Sequence, residues 1–346
     1  MSIIKKLLVG AVFFAPSIAQ AEQLTFATAG GTFLETVQKV CLQPFMDKTG
    51  LDIKTVATED TGAQIRAQMM TKRQWDIVES ASEVMAIGTK NGWFQALDWE
   101  KIDPDKTLPE IARNPYGMGF TTYSEGIAYR TDRANGKIMK SWKDFWDVEK
   151  FPGNRSLRDT PLRNLEYALM ADGVEQKDIY TVLATPEGAD RAFAKLDKIK
   201  EHVKVWWTAG QQPSQYLASG DVDYSSIWNG RVTTAVKEGV PLGFVWDQAA
   251  LITGYYAVLK GSPMLETGVE LLKSCWMDPK VSAEFVKHMP YASFAPGLYD
   301  LIPEELAKQL STYPDNKKVQ FEFNGAFWAE HRPALQERWQ RWRLGN

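Results

Sequence analysis

Leu24-Thr-Phe-Ala-Thr-Ala-Gly-Gly-Thr-Phe-Leu-Glu35 decides the fold class. Leu24 to Thr28 alternates apolar and polar residues, as a half-buried strand does. Ala29-Gly30-Gly31 then turns, and Thr32-Phe33-Leu34-Glu35 has the Thr-x-x-Glu spacing that opens a helix. That helix is predicted to end near Gly50. Leu51 to Val56 forms the next strand, and Gly62 to Lys72 the next helix. Trp75 to Val78 is a short buried strand, and Ser80-Ala81-Ser82-Glu83 is a second capping box ahead of a helix ending near Gly92. Strand and helix thus alternate three times, which implies an α/β fold with mainly parallel sheets and helices on both faces.

The alternation continues downstream. Strands are predicted at Ser124–Tyr129, Ser156–Arg158, Lys204–Trp207 and Val222–Trp228, with two further pieces at Gly243–Val245 and Ile252–Leu259. Helices are predicted to start at Ser141, at Thr160 with Pro161 in the first position, at Thr185-Pro186, at Gln212-Pro213 and at Asn229. After Pro263 the pattern is largely helical. In an open parallel sheet the strand-to-helix joins lie at the carboxyl edge, where ligands bind. Helix starts there offer unpaired N–H groups and a partial positive charge. The five starts at Thr32, Ser80, Thr160, Gln212 and Asn229 therefore point to a cleft for a small polar molecule.

Composition narrows the function. The 346 residues are 44% hydrophobic and 24% charged, which gives a globular core and excludes a disordered or collagenous chain. The net charge of −3 with scattered Lys and Arg leaves no nucleic-acid footprint. Lys5-Lys6, the apolar run Leu7–Ile18 and Ala19-Gln20-Ala21 read as a secretory leader over residues 1–21, so an exported protein is expected. Cys41 and Cys275 are the two cysteines; in an oxidising compartment they form either one disulfide or two buried thiols. No Gly-x-Ser-x-Gly, His-Glu-x-x-His or Gly-x-x-x-x-Gly-Lys motif is present, and Gly30-Gly31 lacks the dinucleotide fingerprint.

Over some 300 residues the chain resembles the periplasmic binding proteins of ABC importers, in the spermidine/putrescine-binding branch. The resemblance is carried by Leu24-Thr-Phe-Ala-Thr28, Asp76-Ile-Val78, Gly126-Ile-Ala-Tyr-Arg130, Ser141-Trp-Lys-Asp-Phe-Trp-Asp147 with Phe151-Pro-Gly153, and Gly220-Asp-Val-Asp-Tyr-Ser-Ser-Ile-Trp-Asn-Gly230. It implies a periplasmic monomer of two lobes hinged by crossing strands, with no cofactor, no metal and no catalysis. The implied partners are a membrane permease and its ATPase. Lobe one is expected at 22–130 plus 250–295, and lobe two at 131–249 plus 296–346, with a last crossing near Tyr291.

In the polyamine binders aromatic walls hold the methylene chain and carboxylates take the ammonium ends, which accords with the cost of burying an unpaired charge. The resemblance places Trp228, and Trp206 or Trp207, as walls. The acids depart from that pattern. Thr160 and Arg163 fall where two carboxylates belong, and Gly254 where another lies. A slip of a residue or two would let Asp159 or Asp247 supply one acid. Arg163 and Arg231 would repel a diammonium and attract a carboxylate. The expected site is therefore Trp228 stacking, Arg163 or Arg231 on a carboxylate, and Asp247 or Glu83 on an ammonium. Gly31, Thr32, Ser80, Ser82 and Thr160 give further contacts, and Tyr255 and Tyr291 stand where strands cross. The expected ligand is an ω-amino acid such as 4-aminobutyrate; the alternatives are a polyamine, a ferric ion held by tyrosines, and an exported enzyme. Tyr255-Tyr256 is read as structural with respect to iron, because neighbours on a strand face opposite ways.

Overall fold

The computed structural model describes residues 23–58, 61–134 and 136–345. The leader expected at 1–21 lies outside the described residues. Among the described residues there are eleven strands: β1 Gln23–Thr28, β2 Asp52–Ala57, β3 Ile77–Ala81, β4 Arg113–Asn114, β5 Gly117–Arg130, β6 Arg155–Arg158, β7 Val203–Trp207, β8 Tyr224–Trp228, β9 Leu242–Val258, β10 Ala292–Ser293 and β11 Phe321–Glu322. Their main order is β2-β1-β3-β9-β5-β8-β6-β7. β1 pairs parallel with β2 and β3 at one end. β6 pairs parallel with β7 and β8 at the other.

The antiparallel pair β5 and β9 runs through both halves and joins them. Both strands are buried on two faces over most of their length, so neither shows the alternation that betrays a strand with one wet face. Sequence patterning therefore finds only the second half of β5, and it splits β9 in two. The apparent break falls at Trp246-Asp247-Gln248. There the register shifts against β5 between Glu125 and Ile127, and Gln248 takes a positive φ of 60°. Trp142 supports that bulge, its backbone N–H donating to Gln248 Oε1 at 3.0 Å and its indole Nε1 to the Gln248 carbonyl at 2.9 Å.

Two large apolar clusters mark the lobes. The first holds Leu24, Phe26, Phe33, Phe120, Tyr256, Leu271 and Trp276. Cys41 and Cys275 lie in it and are joined as a disulfide, which resolves the choice the sequence left open. The second gathers Trp142, Phe145, Leu157, Leu165, Phe193 and Leu196. The tail divides between them. Leu298, Ile302, Ala307 and Leu310 pack in the first cluster, whereas the expectation put everything from 296 with lobe two. Only Phe321 and beyond, including Trp328, Trp339 and Trp342 of the C-terminal helix Gly325–Leu344, pack in the second.

The helix starts differ in detail from their sequence signals. Thr185 does cap its helix, accepting from Gly188 N at 3.0 Å. Thr32 and Ser80 cap no helix, and Thr160 Oγ1 accepts only from Leu162 N at 3.4 Å, ahead of the helix start. Gly31, with φ 65°, is the cap ahead of Thr32, and Ser80 lies inside β3. The helix after β6 starts only at Asn164, with Arg163 as its cap residue. Asn229 opens its helix but sends its side chain elsewhere: its Oδ1 accepts from Ser124 N at 2.9 Å, and its Nδ2 donates to the Pro290 carbonyl at 3.1 Å.

Candidate functional site

The carboxyl ends of β1 and β3 face those of β6, β7 and β8 across a cavity of about 450 Å³. From the first half come the Ala29–Gly31 turn, Thr58, Thr61, Glu79, Ala81 and Glu83. The second half supplies Arg158, Arg163, the Thr208–Gln211 turn, Trp228 and Arg231, with Tyr123 from β5 and Arg332 from the C-terminal helix. The halves meet at one edge, where a Cβ on Gly31 would lie 3.6 Å from Gln211 Nε2.

Charge is segregated across this cavity, with carboxylates on one wall and guanidiniums on the other. Glu79, near the end of β3, accepts from the Ala29 N–H at 2.8 Å and from the Thr28 hydroxyl, so it anchors the turn while lining the cavity. Glu83, in the first turn of the helix Ser82–Lys90, is buried and its Oε2 has no hydrogen-bond partner. Opposite it, Arg231 is half-buried and its Nε also lacks a partner. Thr58 Oγ1 is a third buried, unpartnered atom among the lining residues. Buried polar atoms are seldom left unpaired, because each costs about 1–3 kcal/mol and charged groups cost more. Thr58, Glu83 and Arg231 each bring such an atom to the lining of this one cavity.

Arg163 is placed by a buried acid. Its Nε lies 2.7 Å from Glu125 Oε2, an ion pair in which both side chains are almost wholly buried. Glu125 also accepts from Trp228 Nε1 at 3.1 Å and, on its backbone carbonyl, from the Tyr167 hydroxyl at 3.0 Å. Burial works against the charge on Arg163, but Glu125 and Glu83 outweigh it and raise its pKa further. Its φ of 70° is unusual for a residue with a Cβ, and the Glu125 pair compensates for the strain.

Of the residues expected at the site, Gly31, Glu83, Arg163, Trp228 and Arg231 line the cavity. The others are placed elsewhere for identifiable reasons. Thr32 is solvent-exposed one residue beyond the turn. Ser80 alternates with Glu79 and Ala81 along β3 and so points away from them. Ser82 is covered by Gly325 of the C-terminal helix, where a Cβ would come 2.5 Å from the Ser82 carbonyl carbon. Thr160 closes its own turn, its carbonyl accepting from Asn164 Nδ2 at 2.7 Å. Trp206 packs edge-on against Trp339 and Trp342, under Arg343, on the outer side of lobe two. Asp247 is exposed in the β9 bulge. Tyr255 donates to the Ile111 carbonyl at 3.0 Å, while the Tyr256 hydroxyl bonds Thr28 Oγ1 at 3.0 Å. Tyr291 stands one layer behind the cavity, 5.5 Å from the Tyr123 ring.

Sequence reasoning passed over Thr58, Glu79, Tyr123, Arg158 and Arg332. Glu79 and Arg158 carried a usable signal, since each is a charge at or near the carboxyl end of a strand. Tyr123 lies in the part of β5 that patterning missed, and Arg332 is brought in only by the packing of the last helix.

A cavity between two half-sheets joined by long crossing strands is the arrangement of a two-lobed solute-binding protein. The sequence profile of the bacterial extracellular solute-binding proteins matches residues 41–318, and the chain belongs to that family. It is 35% identical to the gamma-aminobutyric acid-binding protein of Pseudomonas aeruginosa over 97% of this chain and 95% of that one. It is 22% identical to the spermidine/putrescine-binding periplasmic protein of Escherichia coli, over 82% of each chain. An ABC transporter substrate-binding protein from Bradyrhizobium japonicum superimposes with a TM-score of 0.85 at 36% identity, covering 92% of this chain and 99% of the other. The Atu4243-GABA receptor gives 0.82 at 29%, covering 93% and 98%. The protein is thus a binding component of an ABC transporter and not an enzyme, and its family implies a small ligand and a permease with its ATPase as partners. Among the described residues, no helix is long and apolar enough to cross a membrane.

Proposed function

We propose that this chain captures an ω-amino acid of the size of 4-aminobutyrate between its lobes and hands it to the permease. The reading is carried by Glu83 Oε2 and Arg231 Nε, two buried atoms of oppositely charged side chains that lack hydrogen-bond partners and line one cavity. A ligand with an ammonium at one end and a carboxylate at the other satisfies both at once. Glu83 with Glu79 takes the ammonium, Arg231 with Arg163 takes the carboxylate, and the rings of Trp228 and Tyr123 line the apolar stem between them. Because the two charges sit on different lobes, the bound ligand bridges the halves and favours the closed form. A diammonium meets the arginine wall and is disfavoured.

The lobes run 22–130 plus 250–295 and 131–249 plus the tail from 321, with residues 298–310 joining lobe one. Residues 1–21 direct a monomeric mature protein to the periplasm. The kinship to the gamma-aminobutyric acid-binding protein supports this reading. Titration calorimetry of the mature chain tests it: 4-aminobutyrate is expected to bind about tenfold or more tighter than putrescine, a difference of roughly 1.4 kcal/mol. Tighter binding of putrescine refutes it.

A further inference from the structure

Behind the cavity wall, the buried Trp207 and the cavity-lining Trp228 form an aromatic corner, a slot suited to a cation. The two indoles stand edge to face at 5.9 Å, and both are locked. Trp207 Nε1 donates to Ser226 Oγ at 3.2 Å, and Trp228 Nε1 to Glu125 at 3.1 Å. Gly210 packs against the Trp228 ring so closely that a Cβ there would fall 2.3 Å from a ring carbon. Such a slot attracts ammonium groups by the negative faces of its rings.

The slot already contains a cation from the protein itself. Arg158, the last residue of β6, holds its guanidinium carbon 5.3 Å over the Trp207 ring and 5.4 Å over the Trp228 ring. It lines the cavity. Among the described residues it has no ion-pair partner, whereas Arg163 beside it is neutralised by Glu125. Burial, with the charge of Arg163, holds the Arg158 pKa below the ordinary arginine value, but the group remains a cation at any working pH. A planar guanidinium can lay its face on a ring while its N–H edge stays open to a carboxylate.

We infer that Arg158 is a specificity-determining residue: its guanidinium fills the aromatic slot, excludes an ammonium from that end of the cavity and offers a carboxylate subsite in its place. This rests on the zwitterion reading given above. It assigns the discrimination between an amino acid and a diamine to one side chain at the end of β6. The tryptophans then act as a platform for an arginine, not as walls for a ligand's amine.

The test compares wild type, Arg158→Met and Arg158→Lys by calorimetry with 4-aminobutyrate and putrescine. Methionine removes the charge and keeps apolar bulk. The affinity ratio of 4-aminobutyrate to putrescine is expected to fall about a hundredfold in Arg158→Met, from loss of a charge-assisted contact together with release of the slot, and to fall about tenfold or less in Arg158→Lys. A merely structural role would weaken both ligands together and leave the ratio unchanged, which overturns the inference. A measurement on wild type stands even if the methionine variant fails to fold. Replacing the ligand's ammonium by trimethylammonium is expected to weaken binding, because the slot that rewards a quaternary cation is occupied; tighter binding of the quaternary compound overturns the inference. A wild type that prefers putrescine defeats the zwitterion reading and this inference together. A wild type that prefers 4-aminobutyrate, with an unchanged ratio in Arg158→Met, defeats this inference alone.

Discussion

Glu166 gives the protein a stability that falls as pH rises, and replacing it with glutamine should remove that slope. The residue is fully buried in the helix Asn164–Ala171. Its Oε1 accepts from Trp328 Nε1 at 2.6 Å and from the Tyr180 hydroxyl at 3.2 Å, while its Oε2 has no partner. Burial raises its pKa from the ordinary 4.5 to about 7, against the opposing pull of the Trp328 bond and of the Arg163 charge. The folded protein therefore holds this proton to a higher pH than the unfolded chain does. Between pH 4.5 and about 7 the folded state binds more protons, so stability declines through that window as pH rises. At 1.36 kcal/mol per pKa unit, the cost above pH 7 is about 3 kcal/mol. Glu166→Gln keeps an oxygen for Trp328 and Tyr180 and cannot ionise. Thermal unfolding of both proteins from pH 5 to pH 8 should show the melting temperature of the variant, relative to wild type, rising with pH by about 4 °C. Groups with depressed pKa values, such as Asp172 beside Arg191, contribute equally to both proteins and cancel. A difference that stays flat across this range refutes the argument.

Reducing the Cys41–Cys275 disulfide, which closes a separation of 234 residues, should cost about 2–5 kcal/mol and lower the melting temperature without changing ligand preference. Asn229→Ala should destabilise by about 2–4 kcal/mol in urea unfolding, because it strips partners from the Ser124 N–H and the Pro290 carbonyl at a buried junction. Glu83→Gln should weaken 4-aminobutyrate by about tenfold or more in calorimetry while sparing a simple carboxylate such as butyrate, since only the ammonium loses its partner. Gly325→Ala should weaken every ligand in parallel and lower the melting temperature, because the added methyl meets the Ser82 backbone where the last helix abuts lobe one.

The fold was legible wherever local chemistry and tertiary structure agree. β1, its turn and the following helix are marked by alternation and by glycine, and Gly50 ends that helix in the left-handed conformation expected of it. β5 and β9 show in the sequence only in part or in pieces because both of their faces are buried, which removes the period of two. The disulfide was open in the sequence because pairing depends on how two helical segments distant in the chain come together. The site was legible as an edge of the sheet but less so residue by residue. Charges at strand ends, such as Arg158, obey the carboxyl-edge rule. Thr32, Ser80 and Thr160 share the composition of helix caps, yet strand alternation and turn geometry turn them from the cavity. Arg332 has no local signal at all, since the C-terminal helix shows no marked apolar face and only its tertiary packing brings the residue to the cavity.

The position of Glu125 connects hinge, wall and specificity. It lies on β5, the strand that passes from one lobe to the other, next to the register shift against β9. From there it holds Arg163 by charge and Trp228 by a hydrogen bond, and Trp228 in turn carries Arg158 on its ring. A buried carboxylate whose only role was stability would be a poor choice, because desolvating an ion pair offsets most of its attraction. Its value here is geometric: one side chain on the crossing strand fixes two guanidiniums and an indole of lobe two relative to the axis about which the lobes close. On the proposed zwitterion reading, the arginine wall would move as a unit toward Glu83 as the cleft shuts, and a ligand that satisfies both walls would stabilise the closed form.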